Sequence, residues 1–352
     1  MRWDAEFCGA RSLQSNEVDD CLHVETVMTT QIDRVLRSNL KLKHLQLLVA
    51  LDQFRHLGRA AEFLSLTQPA VSKTLAEIEK LFGLALFDRS TRGTEPTAAG
   101  DSVVRFARSV LAEYERTRDE IAAVAAGTAG RVSVGAMVVA TPALLARAIE
   151  IVKQRSARVV VLVEEGDLTR LLPRLRLGEL DLFVGRLEPG YAAPDLETEA
   201  LYEEPMVVLL PPGHALLRVR KPTWDALAEL PWVVPPPWAS LRTKLDQTFH
   251  RHGLHPPTDV VETASFLGQV TFLRSRGAAA LMARSVARSA EADGLGAVLQ
   301  LPVPIELPPV GIITLRGRRV TPGAAHLIDA LRASARALAI TASSRNGRAT
   351  LR

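Results

Sequence analysis

The chain has 352 residues, enough for roughly two or three domains, and its hydrophobic fraction of 47% is ordinary for a globular protein. Its net charge of +4 permits binding to nucleic acid without demonstrating it. No apolar run of about 18 residues predicts a transmembrane helix, and the start has no apolar signal-peptide core. The only cysteines, Cys8 and Cys21, lie in this leading segment. We therefore expect no disulfide framework, no membrane partner and a cytoplasmic location.

Residues 1–39 are predicted to be an N-terminal extension. The first 27 residues show no clear periodicity, whereas the segment after Met28 looks helical. Two explanations stay open for the leading segment: Met28 is the true start, or the segment is an ordinary disordered N-terminus.

Residues 40–96 combine, in one order, the local signals of a winged helix-turn-helix. Two amphipathic helices are predicted at about 41–53 and 57–64. A third helix begins after Thr67, a suitable N-cap, with Pro69 in its first turn. Its buried stripe is predicted to be Val71, Leu75, Ile78 and Phe82, and its outward residues Ser72, Lys73, Ala76 and Glu79. An apolar turn then leads into a basic wing, so the segment is typical of a module that places a helix in the DNA major groove.

A long helix is predicted from the N-cap Thr97 to about Ala126, within a linker segment of residues 97–127. Because the helix is too long for a small winged domain, we expect it to pair with the same helix of another subunit. Packing on its own domain is the alternative. Its apolar or small residues form a heptad seam of Val103, Ala107, Val110, Tyr114, Thr117, Ile121 and Val124. Residues 127–130, which include two glycines, break the helix and mark a hinge.

Residues 130–339 alternate strand and helix candidates, which indicates an α/β fold with doubly wound sheets. Strands are predicted at about 132–134, 159–163, 180–185, 205–210, 232–234, 260–262, 279–282 and 310–315. Helices are predicted between them at about 143–154, 168–177, 241–252, 266–275 and 324–339. Residues 340–352 are polar and are predicted to form a flexible tail.

In its order of segments the chain resembles the LysR-type transcriptional regulators over about residues 40–339. The segment AAEFLSLTQPAVSKTLAEIEKLFGLALFDRSTRGTEPTAAG looks like the DNA-binding signature of that family. Two further segments, GDLTRLLPRLRLGELDLFVGRL and PMVVLLPPGHALL, look like its effector domain. The wording LKLKHLQLLVAL, LPWVVPPP and VVETASFLGQ is similar to the subgroup of galactose-binding-protein regulators.

The resemblance implies a ligand-responsive regulator that binds double-stranded promoter DNA and takes a sugar or small organic acid as its effector. It implies a homo-oligomer, with dimers joined through the linker helix and a tetramer of two dimers, and it makes RNA polymerase a candidate partner. The sensor would have two lobes, like a periplasmic binding protein. Lobe one would be residues 130–207 and 311–339, lobe two residues 208–305, and the crossovers would lie near residues 209–211 and 307–309.

The candidate DNA contacts lie at the start of the third helix and on the wing. Gln68 can pair bidentately with adenine, Pro69 can pack near a thymine methyl group, and Ser72 can meet bases or phosphate. Lys73 stands where the family more often has arginine. The wing arginines can meet phosphates or a minor groove, a solvated surface charge being the alternative. The full set is Thr67, Gln68, Pro69, Ser72, Lys73, Arg89 and Arg92.

The candidate effector contacts lie where strands lead into helices. Ligands in two-lobed α/β folds bind at the carboxyl ends of strands, against helix N-termini. Three such turns qualify, with Thr141 and Ser240 predicted as N-caps of their helices. Arg186, which ends a strand, can supply a cation to the cleft or form a salt bridge at its rim. The full set is Val138, Thr141, Arg186, Ser240, Thr263 and Ser265.

Other functional classes find less support in the sequence. No catalytic constellation, glycine-rich phosphate loop or metal-ligand spacing is recognised, so we expect no enzyme activity, no cofactor and no metal. A solute-binding protein without regulatory DNA function is the alternative, disfavoured because a DNA module precedes the sensor. An enzyme with a regulatory N-terminus is a third class, which an activity screen of residues 130–339 would test.

Replacing Arg92 with alanine is expected to weaken binding to all DNA sequences alike, because a phosphate contact is lost. The slope of log affinity against log salt concentration should become flatter by about one counterion-release unit. Titration of one DNA duplex at several salt concentrations measures this slope. An unchanged slope contradicts the phosphate contact.

Overall fold

The computed structural model describes residues 32–90, 93–126 and 130–349. Most of the predicted N-terminal extension, the wing residue Arg92 and residues 127–129 of the predicted hinge lie outside the described residues. The chain forms two compact units, Met1–Glu115 and Arg116–Arg352.

The described part of the first unit has the predicted winged helix-turn-helix order. The two wing strands, Phe87–Ser90 and Gly93–Pro96, pair antiparallel, with Ser90 opposite Gly93. A short helical turn at Val35–Asn39 comes first. It is followed by α1 (Leu42–Phe54), α2 (Leu57–Phe63), α3 (Gln68–Phe82), β1 (Phe87–Ser90), β2 (Gly93–Pro96) and α4 (Ala98–Ala126).

The start and the buried face of α3 agree with the sequence prediction. The Thr67 hydroxyl accepts a hydrogen bond from the amide of Ala70 at 3.4 Å, which caps the first turn. The helix ends at Gly83, whose φ of 70° is a left-handed conformation that glycine adopts without strain. The predicted stripe of four apolar residues is buried, and it packs in one core with residues of α1 and α2.

The prediction that Glu79 faces outward is wrong. Its Oε1 accepts hydrogen bonds from the amides of Leu86 at 2.9 Å and Phe87 at 3.1 Å. The chain folds back over the end of α3 before it enters the wing, and this path brings two backbone donors to the carboxylate. Because half-buried amides need acceptors, Glu79 holds the first wing strand against α3.

The second unit is built from two five-stranded mixed sheets. In one sheet the strands lie in the order 160–165, 131–136, 182–186, 310–315 and 196–202, and in the other in the order 297–298, 206–210, 279–283, 232–234 and 260–262. Its strands are β3 (Arg131–Ala136), β4 (Val160–Glu165), β5 (Leu182–Arg186), β6 (Leu196–Tyr202), β7 (Met206–Leu210), β8 (Trp232–Val234), β9 (Val260–Glu262), β10 (Ala279–Ala283), β11 (Ala297–Val298) and β12 (Val310–Leu315). Its helices after the end of α4 are α5 (Ala146–Arg155), α6 (Leu168–Leu177), α7 (Trp224–Ala228), α8 (Ser240–Arg251), α9 (Phe266–Arg276), α10 (Arg284–Ala292) and α11 (Pro322–Ala349).

Each sheet is the centre of one lobe. Strands β3, β4 and β5 run parallel in lobe one, as β8, β9 and β10 do in lobe two. The chain completes β6, passes through lobe two, and returns as β12, which pairs antiparallel with both β5 and β6. Two segments therefore cross between the lobes, residues 203–205 and residues 299–309. Arrangements of this kind place ligand sites between lobes, at the carboxyl ends of parallel strands.

The first crossover differs from the prediction, which placed it near residues 209–211 and ended lobe one at residue 207. Met206–Leu210 is a fully buried strand of the second sheet, paired with β10 and β11, so lobe one ends at Tyr202. The sequence pattern does not reveal β6, because this edge strand is rich in exposed polar side chains. Without β6, the apolar run at 206–210 reads as the last strand of lobe one.

Other unpredicted elements have weak apolar patterns. The helix α10 buries small side chains, Val286, Ala287 and Ala290, which produce little signal in the sequence. The short elements α7 and β11 are also absent from the prediction. The last helix ends at Ala349, within the segment predicted to be a flexible tail, since no proline or glycine interrupts residues 324–346.

Candidate functional site

The start of α3 and the first wing strand form one surface. Thr67, Gln68, Pro69 and Lys73 are exposed on the first two turns of α3, and Ser72 between them is half-buried. Arg89 of β1 donates from Nη1 to the Ser72 hydroxyl at 3.0 Å. The structure therefore brings together the predicted DNA-contacting residues that it describes. Arg92 lies outside the described residues.

Arg55 holds the second wing strand to the end of α1. Its φ of 51° turns its carbonyl towards the wing, where the oxygen accepts from the amide of Thr94 at 2.9 Å. A Cβ at Gly93 would lie 2.8 Å from this carbonyl oxygen, and the φ of Gly93 is 141°. Only glycine lets the wing approach so closely.

Asp52 connects α1 to α4 through Arg108, and it also pairs with Arg55 at the end of α1. Its carboxylate oxygens lie 2.8 Å from Arg55 and 2.8 Å from Arg108 of α4, and Arg55 also pairs with Glu95 of the wing. The sequence does not reveal this cluster, because Arg108 lies 56 residues from Asp52 and Glu95 lies 40 residues from Arg55. The cluster orients the wing and the first half of α4 around the same helix end.

The predicted capping role of Thr141 is wrong. Helical backbone begins at Val138, directly after the extended residue Met137, and Thr141 already has φ −68° and ψ −55°. Its hydroxyl donates to the carbonyl of Met137 at 3.4 Å instead of capping a helix. The chain turns as soon as β3 ends, so the capping position lies four residues earlier. Val138 and Thr141 are both half-buried in this turn.

The predicted cap at Ser240 is also wrong, because Ala239 is the N-cap and Ser240 is the first residue of α8. The Ser240 hydroxyl donates instead to Oε1 of Glu188 at 3.1 Å. Glu188 follows β5 in lobe one, whereas α8 belongs to lobe two. Ser240 therefore bridges the cleft between the lobes.

The third turn has the predicted helix start at Phe266. Ser265 caps α9 by accepting from the amide of Gly268 at 3.2 Å. The Thr263 hydroxyl accepts from the amide of Ser265 at 3.1 Å. The strands β8 and β9 are parallel, and their last residues, Val234 and Glu262, lie opposite each other. The turns that follow the two strands therefore begin side by side at the same edge of the sheet.

Two apolar side chains on these neighbouring turns were not recognised in the sequence. Trp238 is 82% exposed and Leu267 is 72% exposed, whereas Trp224 and Trp232 are buried in the core. Trp238 lies two residues before Ser240, which bonds to the opposite lobe. The only sequence signal was a tryptophan in a proline-rich turn, PPPW.

Arg186 does not line an open cleft. It is only 4% exposed, and it donates from Nη1 to the carbonyl of Pro308 at 2.9 Å and from Nη2 to that of Glu204 at 3.1 Å. Burial lowers the pKa of this guanidinium, while the nearby Glu204 carboxylate raises it. Arg186 therefore neither supplies a cation to the cleft nor forms a salt bridge at its rim, the two roles that the sequence left open. The reason is that β5 ends beside the two crossovers.

Glu204 lies on the first crossover and is bonded from lobe two. Its Oε1 accepts from the amide of Ser285, in the first turn of α10, at 3.0 Å. The Ser285 hydroxyl donates across the cleft to the carbonyl of Val139 at 3.4 Å. Burial raises the pKa of the Glu204 carboxyl group and that of the Tyr202 hydroxyl beside it.

The second half of α4 is attached to lobe one. Arg116 Nη2 lies 3.3 Å from Oδ1 of Asp181 and donates to the carbonyl of Gly178 at 3.2 Å. Asp181 also accepts from the amide of Ser133 at 2.8 Å. Burial raises the pKa of the Asp181 carboxyl group. This ion pair therefore joins the linker helix to the first strand of the sensor.

The predicted heptad seam on α4 is divided. Val103 packs against the core of the first unit and Ala107 is buried, which matches the alternative that the helix packs on its own domain. Tyr114 is 49% exposed and Ile121 is 65% exposed, so this part of the seam has apolar side chains in solvent in the single chain. The side chain of Val124 lies outside the described residues.

The parts of the chain that the structure describes contain no cluster of three or more histidine, cysteine or carboxylate residues that could hold a metal ion. His252 instead stacks on Trp224, with ring centroids 5.5 Å apart. In the same parts of the chain, every helix is too short or too polar to cross a membrane.

Two family models match this architecture. Residues 42–101 match the bacterial regulatory helix-turn-helix protein of the lysR family. Residues 125–336, more than half of the chain, match the LysR substrate binding domain. The chain belongs to the LysR family. It is a DNA-binding transcriptional regulator with an effector-binding domain, and regulators of this family bind promoter DNA and small-molecule effectors and form oligomers.

Individual relatives support this assignment. The HTH-type transcriptional regulator GbpR of Azospirillum brasilense is 32% identical over 302 residues, which cover 85% of this chain and 88% of that protein. The HTH-type transcriptional regulator GalR of Pseudomonas putida is 32% identical over 291 residues, covering 82% of this chain and 73% of that protein. The crystal structure of full-length CbnR complexed with its target DNA shares the fold, with a TM-score of 0.65 at 18% identity, covering 84% of this chain and 100% of that one.

Proposed function

We propose that this LysR-family regulator reads promoter DNA with the surface formed by α3 and the wing. The observation that carries the proposal is the Arg89–Ser72 hydrogen bond, which places the wing beside the exposed helix start. Gln68 and Lys73 then face base edges in the major groove, while Arg89 and Arg92 meet the backbone or a minor groove. Thr67 and Pro69 shape the first turn that approaches the DNA.

Sequencing of genomic fragments that the full chain binds tests this proposal, because specific binding yields a shared motif. Failure to enrich any sequence would contradict a role in reading DNA. The same fragments identify the target genes. RNA polymerase binding to these fragments, with and without the regulator, tests whether the polymerase is recruited there, as we propose. We also propose that the regulator acts in the cytoplasm.

Replacing Gln68 with alanine is expected to relax the choice of one base pair, because a bidentate contact to adenine contributes about 1–3 kcal/mol of discrimination. Selection of duplexes from a randomised pool, followed by affinity measurement, reports the loss. Gln53→Ala, at another exposed glutamine of the same unit, is the matched control. If Gln68→Ala keeps the same motif with the same selectivity, Gln68 does not read a base.

We propose that the effector binds between the lobes, against the turns that hold Val138, Thr141, Ser240, Thr263 and Ser265. Exposed Trp238 supplies an apolar ring surface two residues before Ser240, whose hydroxyl bonds to the carboxylate of Glu188. The guanidinium of Arg186, which the sequence suggested as a cation for the cleft, is engaged with the two crossovers instead. These features favour a sugar, with an apolar ring face and hydroxyl groups, over a small organic acid.

Replacing Trp238 with alanine is expected to weaken sugar binding roughly two- to tenfold, since ring stacking contributes about 0.5–1.5 kcal/mol. Shifts of the melting temperature with a panel of sugars and small acids find the ligand, and titration gives its dissociation constant. Trp238→Phe retains a ring and should bind more tightly than Trp238→Ala. Shifts with acids alone, or equal affinity in both variants, would refute the stacking role.

We propose that two chains dimerise through the exposed half of the α4 seam, and that two dimers form a tetramer. Tyr114 and Ile121 carry the proposal, because large apolar side chains in one line on a solvent-facing helix favour a second helix.

Replacing Ile121 with glutamate is expected to shift the oligomer towards monomer, because two carboxylates would be buried in the seam. Light scattering on the full chain over a dilution series measures the mass. Glu120→Ala, next to the seam, is the control. An unchanged dissociation midpoint for Ile121→Glu would place the dimer contact elsewhere.

A further inference from the structure

One side chain reaches both segments that join the lobes. Arg186 donates from Nη1 to Pro308 on the second crossover and from Nη2 to Glu204 on the first, at 2.9 and 3.1 Å. Its Nη2 also lies 3.3 Å from the sulfur of Met206, the first residue of lobe two's β7. Because a guanidinium is planar and rigid, these contacts set the spacing between the two crossovers.

The first crossover is also held from lobe two. The amide of Arg284 donates to the carbonyl of Pro205 at 2.9 Å, and the amide of Ser285 donates to the Glu204 carboxylate at 3.0 Å. Glu204 is thus bonded by lobe one through its carbonyl and by lobe two through its side chain. Any rotation of one lobe against the other has to bend this segment.

Burial makes these bonds hard to exchange for water. Arg186 is 4% exposed and Glu204 is 8% exposed, so a buried cation lies near a buried carboxylate. Charge-assisted hydrogen bonds are stronger than neutral ones, and a buried charge without its partners is costly. A lysine at position 186 would keep the charge but lack the fork that serves two carbonyls at once.

We propose that Arg186 is a positioning residue that clamps both crossovers and so sets how readily the lobes open and close. The inference rests on the proposed effector response of the same cleft. An effector shifts the two lobe arrangements only by its difference in affinity for them. The clamp therefore determines how large the difference in effector affinity between the two lobe arrangements must be to shift the lobes from one to the other.

Hydrogen–deuterium exchange of the full chain, without effector, tests the clamp in the variant Arg186→Lys. Exchange in peptides that cover residues 203–206 and 307–311 should become about tenfold faster, the effect of losing one charge-assisted hydrogen bond. Arg332→Lys is the matched control, because Arg332 forms a bidentate pair with Glu199 inside lobe one. It should leave both crossovers unchanged.

Faster exchange in one crossover only, or in neither, overturns the proposal. So does faster exchange throughout β3 and β5 together with the crossovers, because that pattern indicates a general loss of stability. If Arg186→Lys does not fold, the same exchange measurement on Glu204→Gln tests the clamp. This variant retains an oxygen for the Ser285 amide but removes the charge of the carboxylate. Unchanged exchange in both crossovers of that variant also overturns the clamp. The exchange measurement needs neither DNA nor effector. Failure of the proposed function is therefore a separate result, in which the unaltered chain does not bind any DNA sequence specifically.

Discussion

The sensor depends on a guanidinium that is buried where the chain passes twice between two lobes. Buried arginine is tolerated only where its charge and its donors are met, and Arg186 finds these partners in the carbonyls of Pro308 and Glu204. This explains why β5 ends with a cation in an otherwise apolar strand. It also leaves the cleft without that cation, which is why the proposed effector is an uncharged ring compound.

In the winged module, too, charged side chains connect neighbouring elements. Glu79 accepts two amides at the entry to the wing, and Arg55 and Asp52 hold its second strand and the first half of α4. These polar contacts connect elements whose apolar faces already share one core. The wing is thereby held beside the exposed start of α3, and the proposed DNA contacts need this arrangement.

The helix α4 is shared between the two compact units. Its first part contributes Val104 to the core of the first unit, and its second part is joined to the sensor by the Arg116–Asp181 pair. Apolar residues between and beyond these attachments remain exposed in the single chain. One continuous helix thus serves packing, attachment and the proposed association of subunits.

Local sequence patterns predict the cap at Thr67, the buried stripe of α3, the long helix and the alternation of strands and helices, and the structure contains all four. The spacing along one helix and one hairpin also predicts that Gln68, Lys73 and Arg89 are exposed, whereas Glu79, predicted to face outward, bonds to the wing strand. The roles of Arg186 and Ser240 depend on how distant segments pack, because the acceptors of Arg186 lie 18 and 122 residues away and the partner of Ser240 is 52 residues away. The tertiary structure also decided the first crossover, since the edge strand β6 has too polar a pattern to be recognised. Local hydrogen bonds and apolar periodicity can be read along the chain, whereas a buried charge finds its partners only after distant segments have packed around it.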